Sequence, residues 1–154
     1  MSAVAPTAQA GCPLCEGTGG QLVWQGPHAR VIRAQEEGFP AFYRVVWTAH
    51  AAEFSDLSAV ERTECMELVT SVERVLRAQL SPTKINLAAL GNMVAHLHWH
   101  VIARYDWDSH FPGSVWAAAQ RPRDLAREAA VQAQLEATDR ALAAALQAGV
   151  LESP

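Results

Sequence analysis

His96-Leu97-His98-Trp99-His100-Val101-Ile102 alternates imidazole with bulky apolar side chains. In an extended strand, side chains two apart share a face, so the three imidazoles project to one side and Leu97, Trp99 and Val101 to the other. The apolar face packs on a core, and the imidazole face is left for chemistry. A half-exposed strand shows the same alternation with any polar partner. The chain has only six histidines in 154 residues, however, and three of them filling successive polar positions is not what composition alone produces.

Working outward, Lys84 to Leu90 reads as a strand before this one, and Gly91-Asn92 between them is a turn signal, which predicts an antiparallel pair. Leu57 to Leu80 changes period. Leu57, Val60, Leu68, Val72, Val75, Leu76 and Leu80 form a helical stripe, with Glu61, Arg62, Glu67, Glu73 and Arg74 elsewhere on the wheel. Ser58 with Glu61 fits a capping box, Ser55 and Asp56 are alternative caps for a slightly earlier start, and Pro82 marks the stop. Cys65 falls on the stripe as a buried small hydrophobe.

Further upstream, Gln21 to Gln25 and Ala29 to Ala34 read as strands around the Gly26-Pro27 turn, and Phe42 to Thr48 as a third. Downstream, Arg121 to Ala148 reads as one long helix with a stripe at Val131, Leu135, Leu142 and Leu146, stopped by Gly149. The order predicts an α+β fold: a five-stranded antiparallel sheet with a packed central helix and a long C-terminal helix. Residues 1–11 are expected to be a flexible N-terminal segment, 12–120 one domain, and 121–154 a helical extension of it.

Composition narrows the function. Twelve Lys and Arg stand against sixteen Asp and Glu, a net charge of −4, and no stretch collects basic residues, which argues against tracking a long nucleic acid. No apolar run approaches the ~20 residues of a membrane span. The first ten residues lack the order of a signal peptide, so a cytoplasmic protein is expected. Of three cysteines, Cys12-Pro13-Leu14-Cys15 has the spacing that in a reducing compartment suggests metal or redox chemistry.

Two uses of the histidines compete. Neighbouring neutral imidazoles can bind a metal, but the outer two Cα atoms of three successive strand positions span roughly 13 Å, which strains a single site. Alternatively, one imidazole attacks phosphorus while a neighbour stabilises charge. The spacing favours this division of labour.

The run resembles the signature of the histidine triad (HIT) nucleotide hydrolases and transferases, His-φ-His-φ-His-φ-φ with φ hydrophobic, at all seven positions. The resemblance extends to Val45-Val46-Trp47-Thr48-Ala49-His50, to Lys84-Ile85-Asn86 and to Gly91-Asn92-Met93-Val94-Ala95, and covers about residues 12–116. It implies the five-stranded antiparallel sheet, a homodimer with a continuous sheet, and a purine nucleotide or dinucleoside polyphosphate as substrate. Position by position, it makes His98 the nucleophile at an α-phosphorus and His100 a contact to the phosphate or leaving-group oxygen, with His96 completing the triad. Histidine rather than glutamine at the third position points to a hydrolase. Asn92 and Asn86 match polar positions near the phosphates. Ala95 and Ala103 depart from the residues common in relatives but lie outside the signature.

The resemblance also implies a structural zinc ion held by Cys12, Cys15, His50 and His96, since four protein ligands leave no open position for a substrate water. His110 follows the triad strand in a loop that can fold back over the nucleotide. His28, beside Gly26-Pro27, reads as a turn residue, and Trp107 and Trp116 as packing or base-stacking groups. The expected function is therefore hydrolysis of dinucleoside polyphosphates or nucleoside phosphoramidates. A metal-dependent hydrolase using three His ligands, and a non-catalytic nucleotide sensor, are the competing readings.

Overall fold

Valine, isoleucine and aromatic side chains dominate the segments that pair, and glycine sits where the chain must reverse. In the computed structural model, which describes residues 7–152, the strands are β1 (Gln21–Gln25), β2 (Ala29–Glu36), β3 (Phe39–Trp47), β4 (Lys84–Ala88) and β5 (His98–Arg104). They form one antiparallel sheet in the order β1-β2-β3-β5-β4. Gly38 takes φ +86° at the β2–β3 reversal, a left-handed conformation that a side chain would strain.

The pleat sorts residues onto two faces. Val31, Tyr43, Val45, Val101 and Ala103 lie on one and are buried in the main core. That core is closed by α2 (Ala59–Leu80) and α4 (Leu135–Glu152). Ser58 caps α2 as a reciprocal box with Glu61, and Ser81 ends it in the left-handed region just before Pro82. Leu76 and Val72 are fully buried, and each such side chain contributes about 1.5–3 kcal/mol of apolar burial.

Several boundaries differ from expectation. The buried stripe of α2 runs through Cys65, Val69, Val72, Leu76 and Leu80, while Val60 is 77% exposed. At about 3.6 residues per turn, Val60 falls on the side of α2 opposite that buried stripe and faces solvent. The β4–β5 connection occupies positions 89–97, so Gly91, with φ +78°, bends a loop rather than a tight hairpin. The single C-terminal helix is two, α3 (Leu125–Gln132) and α4, broken at Ala133 and Gln134. Val131, Leu135, Leu142 and Leu146 are all buried as the stripe predicts. Gly149 does not stop α4, since packing of Leu146 and Val150 offsets the roughly 1 kcal/mol glycine penalty.

Polar anchors fix α4 to the sheet. Asp139 accepts from Arg33 Nε at 3.1 Å, Arg33 Nη2 at 3.0 Å and Tyr43 Oη at 2.7 Å. No helix among the described residues is long and apolar enough to cross a membrane.

Candidate active site and metal cluster

The opposite face of the sheet carries Arg44, His98, His100 and Arg104, alternating with the core-facing residues of β3 and β5. The predicted alternation holds: Leu97 and Val101 join the main core, and Trp99 packs against it. His96 lies just before β5 and is fully buried.

The imidazole of His98 is half-buried, with Nδ1 2.6 Å from the backbone oxygen of His96. A carbonyl can only accept, so Nδ1 carries the proton and Nε2 keeps its lone pair. Burial lowers the pKa of His98 below its ordinary value, outweighing the opposite effect of that hydrogen bond, and Arg44 adds to the lowering. The ring is therefore a neutral base with a free Nε2 at neutral pH.

His100 is buried, its ring 4.9 Å from that of His98, 5.4 Å from Phe42 and 5.2 Å from Trp116. Burial, then the neighbouring His98 and Arg44, pushes its pKa down to about 4. Arg44 Nε donates to His100 Nδ1 at 3.3 Å. Trp116, 52% exposed, stands at the rim beside His100.

The ring of His96 points to the cysteines instead of to His100. Its Nδ1 is 3.4 Å from both Cys12 Sγ and Cys15 Sγ, and His50 Nδ1 is 3.4 Å from Cys15 Sγ. The four ligand atoms lie within 4.8 Å of one another. With metal–sulfur bonds of about 2.3 Å and metal–nitrogen bonds of about 2.05 Å, a tetrahedral zinc ion needs ligand separations of about 3.4–3.8 Å, close to these contacts. His96 Nε2 donates to the Trp47 carbonyl at 2.6 Å, the outer hydrogen bond that orients a ligating imidazole. The donor set can therefore hold a metal ion.

Local structure prepares this cluster. Cys12 precedes and Cys15 lies within the single turn α1 (Pro13–Glu16), which brings both thiols to one side. Arg30 on β2 clasps that turn, donating to the carbonyls of Leu14 at 2.8 Å, Gly17 at 3.0 Å and Thr18 at 3.0 Å. Residues 1–6 of the expected flexible segment lie outside the described residues. Thr7 accepts from the His50 backbone N–H at 2.6 Å.

Other predicted site residues are distributed more widely. Asn86 is on β4 and its Oδ1 accepts from Arg104 Nη1 at 2.8 Å. Asn92 is exposed in the 89–97 loop. His110 Nδ1 is 2.8 Å from Ser109 Oγ and its ring packs on Phe39 at 5.1 Å. His28 is an exposed turn residue paired with Glu64 at 2.9 Å, and Trp107 stacks on Tyr105 at 4.8 Å, a packing role. Cys65 is buried in the core, and burial pushes its thiol up to about 11.

Sequence reasoning missed Arg30, Arg44 and Arg104. Arg104 is buried on the site face, donating to Asp108 at 2.8 and 3.0 Å and to the Gly113 carbonyl at 2.8 Å, which holds the loop that carries Trp116. Arginine on the polar face of a half-exposed strand is the expected solvated residue, so only the alternation with apolar neighbours hinted that it shares the histidine face.

A buried apolar face beneath alternating histidines, with one imidazole turned to a thiol pair, defines a histidine-triad protein. The HIT domain model matches residues 18–107, and the chain belongs to the HIT domain family. A histidine triad protein from Bradyrhizobium japonicum is 27% identical, with a TM-score of 0.64 over 84% of this chain and 98% of that one. A histidine triad protein from Marinobacter aquaeolei shares the fold at 23% identity and TM-score 0.67, over 89% and 99% of the two chains. One from Sinorhizobium meliloti does so at 24% and 0.63, over 79% and 90%. No curated protein matches the chain significantly. Family membership brings the protein into a superfamily of nucleotide-binding proteins and hydrolases.

Proposed function

We propose that the protein hydrolyses nucleotides at the α-phosphorus, acting on dinucleoside polyphosphates such as diadenosine tetraphosphate or on nucleoside phosphoramidates. The observation that carries this reading is the 2.6 Å contact of His98 Nδ1 with the His96 carbonyl, which leaves His98 Nε2 as a nucleophile. Its electron pair forms a P–N bond as the leaving group departs with the bonding pair. The Nδ1–H bond to the carbonyl stabilises the charge that develops on the ring. Water then attacks phosphorus, the P–N pair returns to His98, and a water proton passes to solvent. His100, neutral at pH 7, contacts the phosphate or leaving-group oxygen, and Asn86, Asn92 and His110 contribute substrate contacts. Two steps replace one difficult displacement.

Cys12, Cys15, His50 and His96 hold zinc in this proposal, with His96 serving both the triad and the metal. When bound, zinc supplies a structural cross-link between the N-terminal segment and the strand. Among the described residues, the metal-ligating cluster excludes His98 and His100, which favours covalent chemistry over a three-histidine metal centre. The site works in the cytoplasm, consistent with three unpaired cysteines. The chain forms a homodimer by pairing edge strand β4, near which Leu87, Leu90 and Met93 are 45%, 54% and 96% exposed.

The test is to mix the protein with adenylated substrates, quench in denaturant at alkaline pH, and read the intact mass. A nucleotidyl adduct on His98, absent in His98→Ala, is expected. Chelator-sensitive turnover with no adduct supports the metal-dependent reading. Tight nucleotide binding with turnover no higher than His98→Ala supports the sensor.

A further inference from the structure

Arg44 and His100 sit directly opposite one another in the β3–β5 register, on the face that carries His98. Their side chains are therefore cross-strand neighbours. Arg44 Nε lies 3.3 Å from His100 Nδ1. A guanidinium has donors only, so Nδ1 of His100 must be the acceptor and the proton of the neutral ring must reside on Nε2. That is the opposite tautomer from His98, whose Nδ1 is protonated against the His96 carbonyl.

The guanidinium is itself held. Its Nη2 donates to Glu36 Oε1 at 3.2 Å, and its Cζ lies 5.3 Å from the centre of the Phe42 ring. Phe42 also packs edge-on against His100 at 5.4 Å. Glu36 lies where the β2–β3 register shifts, which brings its carboxylate toward the far end of Arg44. The side chain is only 21% exposed and reaches inward to the imidazole, unlike a solvated surface arginine.

From this geometry we infer that Arg44 is a positioning residue: anchored by Glu36, it holds His100 in the Nε2–H tautomer so that the ring can donate a hydrogen bond to an oxygen of the substrate. The inference rests on the proposed nucleotide hydrolysis for its kinetic consequence, but not for the tautomer. No proton is transferred. The hydrogen-bonded chain runs from the guanidinium through the imidazole to the substrate oxygen, and the cation at its head polarises the terminal N–H. Such a donor acts as charge develops on the phosphoryl oxygens and is worth most in the transition state.

The direct readout is long-range 1H–15N correlation of the His100 imidazole in the full-length protein without nucleotide, at pH 7. Wild type is expected to show a protonated Nε2 and an unprotonated Nδ1. Arg44→Lys, which retains a donor-only group, should keep that pattern, whereas Arg44→Met should shift the ring toward a mixture of tautomers. With a nucleotide substrate, Arg44→Met should lower kcat about tenfold while KM changes less than threefold. Arg44→Lys should recover part of the loss. An Nδ1–H signal on His100 in wild type overturns the inference without any variant, and so does a wild-type tautomer pattern in Arg44→Met. If wild type turns over no nucleotide, the reading of the function fails, while the nitrogen shifts still decide the role of Arg44.

Discussion

The Nδ1 of His98 hydrogen-bonds the backbone oxygen of His96 at 2.6 Å, while the ring of His96 reaches Cys12 and Cys15 at 3.4 Å. One residue therefore contributes its side chain to the metal-type cluster and its carbonyl to the imidazole proposed as the nucleophile. Any change that lets His96 swing loosens the orientation of His98. The cluster and the His98–His100 pair meet at one strand entry, joined through the hydrogen bond to the His96 carbonyl.

Zinc removal should therefore affect stability and activity together. The purified protein is expected to carry about one zinc per chain, and stripping it with a chelator should lower the thermal midpoint by on the order of 5 °C or more. Cys12→Ser should show the same lowered midpoint and no further response to chelator. Equal midpoints before and after chelation, with no metal by elemental analysis, would falsify a structural zinc site.

Protonation of His100 should destabilise the fold in a defined window. Its folded pKa, about 4, lies below the ordinary 6.5, so between these values the unfolded chain binds the extra proton. This contribution is fully present above about pH 6.5, is lost as pH falls toward 4, and levels off below it. The thermal midpoint of His100→Gln, followed from pH 7.5 to 3.5, should fall less steeply than that of wild type through this interval. Parallel curves would show that His100 is not the buried neutral group described.

Asp108 is expected to be critical for the loop over the site. Its carboxylate accepts from Arg104 and from the backbone N–H groups of His110 at 2.9 Å and Phe111 at 2.8 Å. Burial alone raises its pKa, but Arg104 and the backbone N–H groups of His110 and Tyr105 outweigh that and hold it below its ordinary value. Asp108→Ala leaves the Arg104 charge buried and should destabilise by about 3–5 kcal/mol, measured by urea unfolding. Hydrogen exchange across residues 105–121 should accelerate as well. Unchanged exchange there would separate Asp108 from loop order.

The C-terminal helix depends on a different buried charge. Asp139→Ala strands Arg33 and Tyr43 and is expected to lose about 3 kcal/mol, whereas the double change Arg33→Met with Asp139→Leu should recover most of it. Urea unfolding of Arg33→Met, of Asp139→Leu and of the two combined completes the double-mutant cycle. Additive losses would mean that the pair does not couple α4 to the sheet.

Much of the framework was legible because it is encoded locally. Strand β1 begins and ends where its turn residues predict, α2 starts at the Ser58–Glu61 box, and the histidine alternation separates a core face from a chemical face within seven residues. The stripe of α2 was misjudged at Val60, because a period of about 3.6 residues carried back from Cys65 and Val69 puts Val60 on the far side of the helix. Gly149 was misjudged for a related reason: its helix-stopping tendency is weak beside the burial of its neighbours.

The sequence by itself determined the fold class, the triad strand and, through the family resemblance, the expected cysteine and histidine ligand set. Only the tertiary structure decided that Arg44 meets His100, that Arg30 clasps the cysteine turn, and that Arg104 anchors the Trp116 loop. Arg44 and His100 are 56 residues apart. Periodicity acts over a few residues, whereas a hydrogen bond between strands requires the register that the whole sheet adopts. A strand's own pattern identifies the face an arginine occupies, but its partner is set by long-range pairing.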